Sequence, residues 1–297
     1  MHWTGKVTSI AFSIGNVSVA WYGIVIVIGM LSALWISSVR SKRDGLKSDD
    51  LLTAFLICIP MAIIFARLGY VLSNYTEYFV KPYDWDAFVN TIAVWNGGLT
   101  VMWGVPGGIL GGFIWAKCIM KMDFRRFVRV LDTVAVTILL AQAIGRWGNF
   151  FNQELYGQPV TNESLQWFPY AVYIAAEGGF YQATFFYELF LNLIGFIVLS
   201  ILWKRLNVTG FTSLGYFFWY LMVRGGLETI RSESSVVDSN TTVNTVQLFC
   251  FLGAAVCLGL MIFLIIRKVK KHQRIWYKDG WPPLEPLKKD KESLELK

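Results

Sequence analysis

The sequence predicts an all-α polytopic membrane protein: seven transmembrane helices, the N-terminus outside, the C-terminus cytoplasmic and a small outer cap. Three observations carry that expectation. Of 297 residues, 55% are hydrophobic and only 16% charged, where soluble domains hold about 25% charged residues. Apolar runs recur at about 18–39, 51–72, 97–120, 130–145, 183–203, 211–227 and 245–266, most of them near the ~20 residues that cross a hydrocarbon layer. The basic residues, finally, are shared unevenly among the segments between those runs. This composition excludes a soluble enzyme with a polar shell, a disordered chain and a coiled coil.

The first run has no basic start before it and no small-residue cleavage site after it, so it is expected to remain as a membrane helix. Arg40, Lys42, Arg43 and Lys47 come after it. Lys117, Lys121, Arg125, Arg126 and Arg129 come after the third run, and Lys204 and Arg205 after the fifth. With the basic residues from Arg267 onward, these make 21 of the 27 Lys and Arg. The positive-inside rule puts them in the cytoplasm and leaves the N-terminus outside after seven crossings. The fourth and sixth runs are short or interrupted by glycine. Between the fourth and fifth, residues 148–182 carry Trp167, Phe168, Tyr170, Tyr173, Phe180 and Tyr181, a density that suits an outer cap or an interfacial belt. The membrane domain is expected over 1–267. The tail, 268–297, is rich in Lys and Glu with Pro282, Pro283 and Pro286, and reads as a flexible extension whose basic start rests on anionic membrane lipids.

A net charge of +7 therefore describes orientation in a membrane, and no nucleic-acid partner is expected. Cys58, Cys118, Cys250 and Cys257 lie in or at the ends of apolar runs, and His2 and His272 lie at the two ends of the chain. Neither a metal site nor a disulfide framework is expected from such spacing, and a buried catalytic histidine is not available. No internal repeat is visible, which argues against a transporter built from inverted halves.

Four arginines oppose the charge bias: Arg67 in ARLGY, Arg146 in GRWGNFFNQELYG, and Arg224 and Arg231 in VRGGLETIR. A guanidinium at membrane depth usually faces a cavity and pairs with an anion. Arg224, Glu228 and Arg231 stand at i, i+4 and i+7, so a helix would carry them on one stripe. In isolation that group reads equally well as a self-satisfied ladder; four arginines on one side favour a shared anion site, for which the planar fork suits phosphate. Around Arg146, the glycines at 145, 148 and 157 and the polar Asn149, Asn152, Gln153 and Glu154 read as a headgroup pocket in preference to a plain exit loop. There the asparagines would hydrogen-bond, and Glu154 would orient Arg146 or bind a hydroxyl. Asn96, Gly97 and Gly98 fit either a backbone nest facing an anion or close packing; Gly111 and Gly112 fit close packing. Tyr22 and Glu188 are polar groups inside apolar runs, and Tyr22 alone suits an interfacial belt.

These segments, in this order, resemble the bacterial prolipoprotein diacylglyceryl transferases. Gly145 to Gly157 matches the family pattern GRxGNFxNxExxG throughout, and Trp21-Tyr22-Gly23, Arg67-Leu68-Gly69-Tyr70, Trp95-Asn96-Gly97-Gly98, Tyr187-Glu188 and Arg224…Glu228…Arg231 match its flanking motifs. The resemblance runs from about Gly15 to the last helix. It implies a cofactor-free enzyme of the bacterial plasma membrane, with its site towards the outer face. The reaction implied moves a diacylglyceryl group from phosphatidylglycerol to the cysteine thiol of a lipobox in prolipoprotein signal peptides. Arg146 and Arg224 would then bind the phosphate, oriented by Glu154 and Glu228, and Asn149 would bind headgroup hydroxyls. Substrate contacts are also implied for Asn152, Gly157, Arg231, Asn96, Gly97, Gly98, Arg67 and Glu188.

Two departures stand out. The family commonly places His or Tyr before two glycines after the WxGG motif, where Met102 and Trp103 stand here. A His-Pro pair before the YE motif is replaced by Gln182 and Ala183. Histidine therefore cannot activate the thiol, leaving Tyr22 or Glu154 as acceptor, or no dedicated base at all. The alternative to a transferase is a divergent, non-catalytic homologue that binds phospholipid or prolipoprotein.

Overall fold

The computed structural model describes residues 8–15, 17–79, 85–94, 97–231 and 244–276. It is mostly helical. The N-terminal strands β1 (Ile10–Ile14) and β2 (Val17–Ala20) lead into α1 (Trp21–Ser41). Helices α2 (Ser48–Ser73), α3 (Tyr75–Phe79), α4 (Trp85–Ile92) and α5 (Val101–Ile114) come next, α5 running into a π-helical turn at Trp115–Ile119. Beyond it lie α6 (Phe124–Asn152), the hairpin of β3 (Ala171–Ile174) and β4 (Gly179–Gln182), α7 (Thr184–Arg205), α8 (Phe211–Glu228) and α9 (Thr245–Lys270).

Each expected apolar run coincides with a helix. Five segments are long and apolar enough to cross a membrane: Trp21–Asp44, Ser48–Ser73, Phe124–Asn152, Thr184–Arg205 and Thr245–Lys270. Helix α5 has only 14 residues, and α8 carries Arg224 and Glu228 in its last turns, so neither joins that set. Large apolar side chains stand uncovered along these helices, among them Trp35, Leu56, Phe190 and Phe249. A water-facing surface disfavours that arrangement, and lipid tolerates it. The two hairpins depart from a purely α fold. Their strands have only 4 or 5 residues, and Gly15 and Gly178 turn between them in the left-handed region at φ +59° and +65°. Neither hairpin forms an apolar run of membrane length, so hydropathy does not announce it.

The chain divides into two compact units. Among the described residues, one comprises Ser38–Phe127; the other joins those up to Ser37 with those from Val128 to Trp276. In the first, α5 packs along α2 because its glycines remove the side chains between them. A Cβ at Gly107 would come 2.7 Å from the Met61 carbonyl oxygen, and one at Gly111 would come 3.0 Å from Cys58 Cα. A Cβ at Gly112 would make only ordinary contact, 3.6 Å from Cys58 Sγ.

In the other unit, α6, α7 and α8 share a core of Val136, Leu139, Leu199, Trp203 and Tyr216. Asp132 of α6, fully buried, fixes the start of α8. Its Oδ2 accepts the Gly210 N–H at 2.6 Å, and its Oδ1 accepts the Ser213 N–H and hydroxyl, each at 2.8 Å. Those donors would otherwise be the unpaired first amides of a helix. At the other end of α6, a second core joins Phe150 to Val172, Ile174, Ala183 and Phe185, seating the β3–β4 hairpin on the helix end.

Candidate active site

The apolar part of α6 stops near residue 145, but the helix continues to Asn152. Arg146 and Asn149 are therefore one turn apart on the same helix, not on an exit loop. Gln153 and Leu155 then turn the chain out in left-handed conformations, φ 50° and 55°. Gln153 secures that turn: its Nε2 donates to the Tyr173 carbonyl and its Oε1 accepts the Ala175 N–H, both at 3.1 Å.

From this helix end a chain of hydrogen bonds runs outward. Arg146 Nη1 donates to Asn149 Oδ1 at 2.9 Å, Asn149 Nδ2 donates to Glu154 Oε1 at 2.8 Å, and Asn152 Nδ2 reaches the same oxygen at 3.4 Å. Glu154 thus bears on Arg146 through Asn149. The direct partner of Arg146 is Glu188 of α7, bonded to Nη2 and almost completely buried. The expectation that Glu154 orients Arg146 or binds a hydroxyl is thus met by an indirect link through Asn149, and Glu188 is the direct carboxylate. Arg146 Nε is buried and has no hydrogen-bond partner among the described residues.

A second ion pair joins Arg224 and Glu228 across one turn of α8. Glu228 also accepts from Asn244 Nδ2 at 3.3 Å, and Asn244 caps α9 by accepting the Gln247 N–H at 3.2 Å. The end of α8 is thereby tied to the start of α9. Gln247 Nε2 adds a bond to the Gly225 carbonyl at 3.1 Å.

Arg231 does not complete a helical stripe, because α8 stops at Glu228. It lies instead in a β-bridge opposite Gly157. Burial pushes its guanidinium below the usual range; the nearby Arg224 and Arg146 add to that, while Glu188 and Glu228 oppose it. Three arginines and two buried carboxylates therefore act on one another within this unit. Tyr220 stands one turn before Arg224 on α8 and stacks with Tyr216. Sequence reasoning does not single it out, although its i−4 spacing from Arg224 is there to be read.

Gly157 is tightly enclosed. A Cβ there would stand 2.7 Å from the Ile230 carbonyl oxygen and 2.7 Å from Thr184 Cγ2, and its N–H donates to the Gln182 carbonyl at 2.8 Å. It acts here as a close-approach position that lets the 230–231 backbone reach the site. Tyr22 lies beside Gly148, with Trp21 stacked on Phe151 at 5.1 Å.

Arg67 belongs to the Ser38–Phe127 unit and has its own partners. Nε donates to the Thr91 carbonyl at 3.0 Å, Nη1 to the Gly97 and Gly98 carbonyls at 2.8 and 3.1 Å, and Nη2 to the Asn90 carbonyl and the Tyr78 hydroxyl. All five N–H groups of the guanidinium are engaged, with Tyr70 and Tyr78 flanking it at 5.5 Å. The expectation that Arg67 shares an anion is corrected: no donor is left for one. Gly97 and Gly98 likewise turn carbonyls towards the arginine, and the Gly97 N–H already bonds the Val94 carbonyl, so the geometry is not that of an anion nest. Asn96 and the Met102 side chain lie outside the described residues.

The fold and this cluster define a multi-pass helical membrane protein with half-buried arginines paired to buried carboxylates near the ends of its helices. Residues 9–264 match the family described as prolipoprotein diacylglyceryl transferase, and the chain belongs to that family. Its relatives include three proteins named phosphatidylglycerol–prolipoprotein diacylglyceryl transferase. The one from Staphylococcus epidermidis is 34% identical over 97% of this chain and 98% of its own length. The Lysinibacillus sphaericus protein is 34% identical, covering 93% and 97%, and that of Bacillus licheniformis 35% identical, covering 90% and 96%.

Proposed function

We propose that this chain transfers the diacylglyceryl group of phosphatidylglycerol to the lipobox cysteine of prolipoprotein signal peptides, as its relatives are named for doing. The observation that carries the reading is the two ion pairs, Arg146–Glu188 and Arg224–Glu228, each a half-buried arginine on a buried carboxylate, in the unit where Arg231 is bridged to Gly157. In this reading the cysteine thiolate attacks the glycerol carbon next to the phosphate. The S–C bond forms, the C–O bond breaks, and its electron pair leaves on glycerol phosphate. Negative charge grows on the phosphate oxygens, and guanidiniums already fixed by carboxylates stabilise it without reorganising. Asn149, held between Arg146 and Glu154, offers amide groups to the headgroup hydroxyls, with Asn152 at the rim.

Glu154 Oε1 already accepts two amide hydrogen bonds, which suits a fixed, orienting group better than a mobile base. A thiol of pKa about 8.5 supplies a few per cent thiolate at neutral pH, and Tyr22 stands near α6 as the remaining acceptor.

The chain crosses the plasma membrane seven times in this reading, α5 and α8 completing the set. The N-terminus and the 148–182 cap then face outward with the site, and the basic tail lies on the cytoplasmic side. The test supplies purified protein with labelled phosphatidylglycerol and a lipobox peptide. Transfer of label to the cysteine peptide, and not to its serine counterpart, is expected; its absence overturns the reading.

A further inference from the structure

Below the arginine pairs lies a set of buried polar atoms that the phosphate contacts leave unused. Asn192 stands four residues after Glu188 on α7, on the buried stripe that continues to Gly195 and Leu199. Its side chain is fully enclosed, yet neither Oδ1 nor Nδ2 has a hydrogen-bond partner among the described residues. Gln142 holds the matching place on α6, four residues before Arg146. Its Nε2 donates to the Tyr216 hydroxyl at 3.1 Å, and its Oε1 is buried without a partner. Arg146 Nε is the third unpartnered group. The Arg146–Glu188 pair joins the end of α6 to the start of α7, and the helix interiors pack together further along. Moving back along α6 and forward along α7 from the pair therefore leads the same way, into the bundle.

Buried amides are nearly always satisfied, so open ones on facing helices point to a polar partner. One helical turn is about 5.4 Å of depth. In a glycerophospholipid the ester carbonyls hang a few bonds from the phosphate, a comparable step towards the hydrocarbon. We infer that Asn192, Gln142 and Arg146 Nε form a subsite for the ester groups of the diacylglyceryl moiety. Asn192 Nδ2 and Arg146 Nε donate to ester carbonyl oxygens, while Asn192 Oδ1 and Gln142 Oε1 hold a bridging water. The inference rests on the proposed transfer reaction and makes the enzyme selective for diacyl over dialkyl lipids.

The experiment compares ester-linked phosphatidylglycerol with its ether-linked analogue of equal chain length, in matched detergent micelles with the lipobox peptide. Each such hydrogen bond lost is expected to raise KM about tenfold, so the ether lipid, which loses both, should show a KM about a hundredfold higher. Asn192→Leu should raise KM for the ester lipid about tenfold and leave the ether lipid unchanged, so that the ratio falls to about ten, the share left to Arg146 Nε. Wild-type protein that handles both lipids alike overturns the subsite without any variant, as does an Asn192→Leu protein that keeps the full wild-type ratio. If the leucine variant does not fold, Asn192→Ser is read by the same ratio. Transfer from neither lipid is a different result, which overturns the proposed reaction itself.

Discussion

Tyr22 lies against Gly148: a Cβ at 148 would stand 2.7 Å from its Cδ2 and 3.1 Å from its Cε2. The family motifs WYG and GRWGN thus meet in space through the absence of one methyl group. Gly148→Ala should push the ring aside at a cost of about 1–3 kcal/mol. Combining it with Tyr22→Ala should cost clearly less than the sum of the two single changes. Thermal unfolding of the four proteins measures this, and strict additivity would show that the contact is not what requires glycine.

Arg146 makes two different side-chain bonds from one planar group. Arg146→Ala is expected to lower turnover by about 10²–10³, the scale of removing one preorganised donor from a developing oxyanion. Arg146→Lys restores charge but not the fork that reaches Asn149 and Glu188 together, so it should recover only part. Normal transfer by a properly inserted Arg146→Ala protein removes the phosphate role.

Arg67 should behave otherwise. With five acceptors to satisfy, Arg67→Lys strands several buried carbonyl groups, each worth about 1–3 kcal/mol. The expected outcome is a lower melting temperature. A lysine variant that melts normally but binds phosphatidylglycerol poorly would reinstate Arg67 as an anion ligand.

The pH profile separates thiol-limited chemistry from catalysis by a buried base. Thiolate is the reacting form, so kcat/KM should climb about tenfold per pH unit and level off near a pH of about 8.5. A plateau that starts near neutrality would point to an activating group that lowers the thiol pKa.

Hydropathy marks where a chain is apolar, not where a helix ends, and the differences between sequence and structure stem from that. The apolar runs are legible because a helix in lipid needs an apolar surface, and five of them are long and apolar enough to cross a membrane. The last turn of α6 is not, since Arg146 and Asn149 remain helical after the apolar stretch stops. Arg231 fails in the opposite sense: its spacing from Arg224 fits a helix, but the helix stops at Glu228. The pairing of Arg146 with Glu188 spans 42 residues of sequence, and no local pattern can state it. Glu188 is visible in the sequence as a carboxylate in an apolar run. Its partner becomes evident only once α6 and α7 are packed. The hairpins are illegible for a simpler reason, being too short to form a periodic signal.

Helix α8 is anchored at both ends, by Asp132 at Gly210 and Ser213 and by the Glu228–Asn244 link to α9. It is therefore a strut rather than a lever. Phe211 and Arg224 are separated by 13 steps of about 1.5 Å, roughly 20 Å of rigid rod. The position of the guanidinium is set partly by a carboxylate at the opposite end of the helix. A lesion at Asp132 would be felt as slack at Arg224, about 20 Å away, and, under the proposed reaction, in its hold on the phosphate.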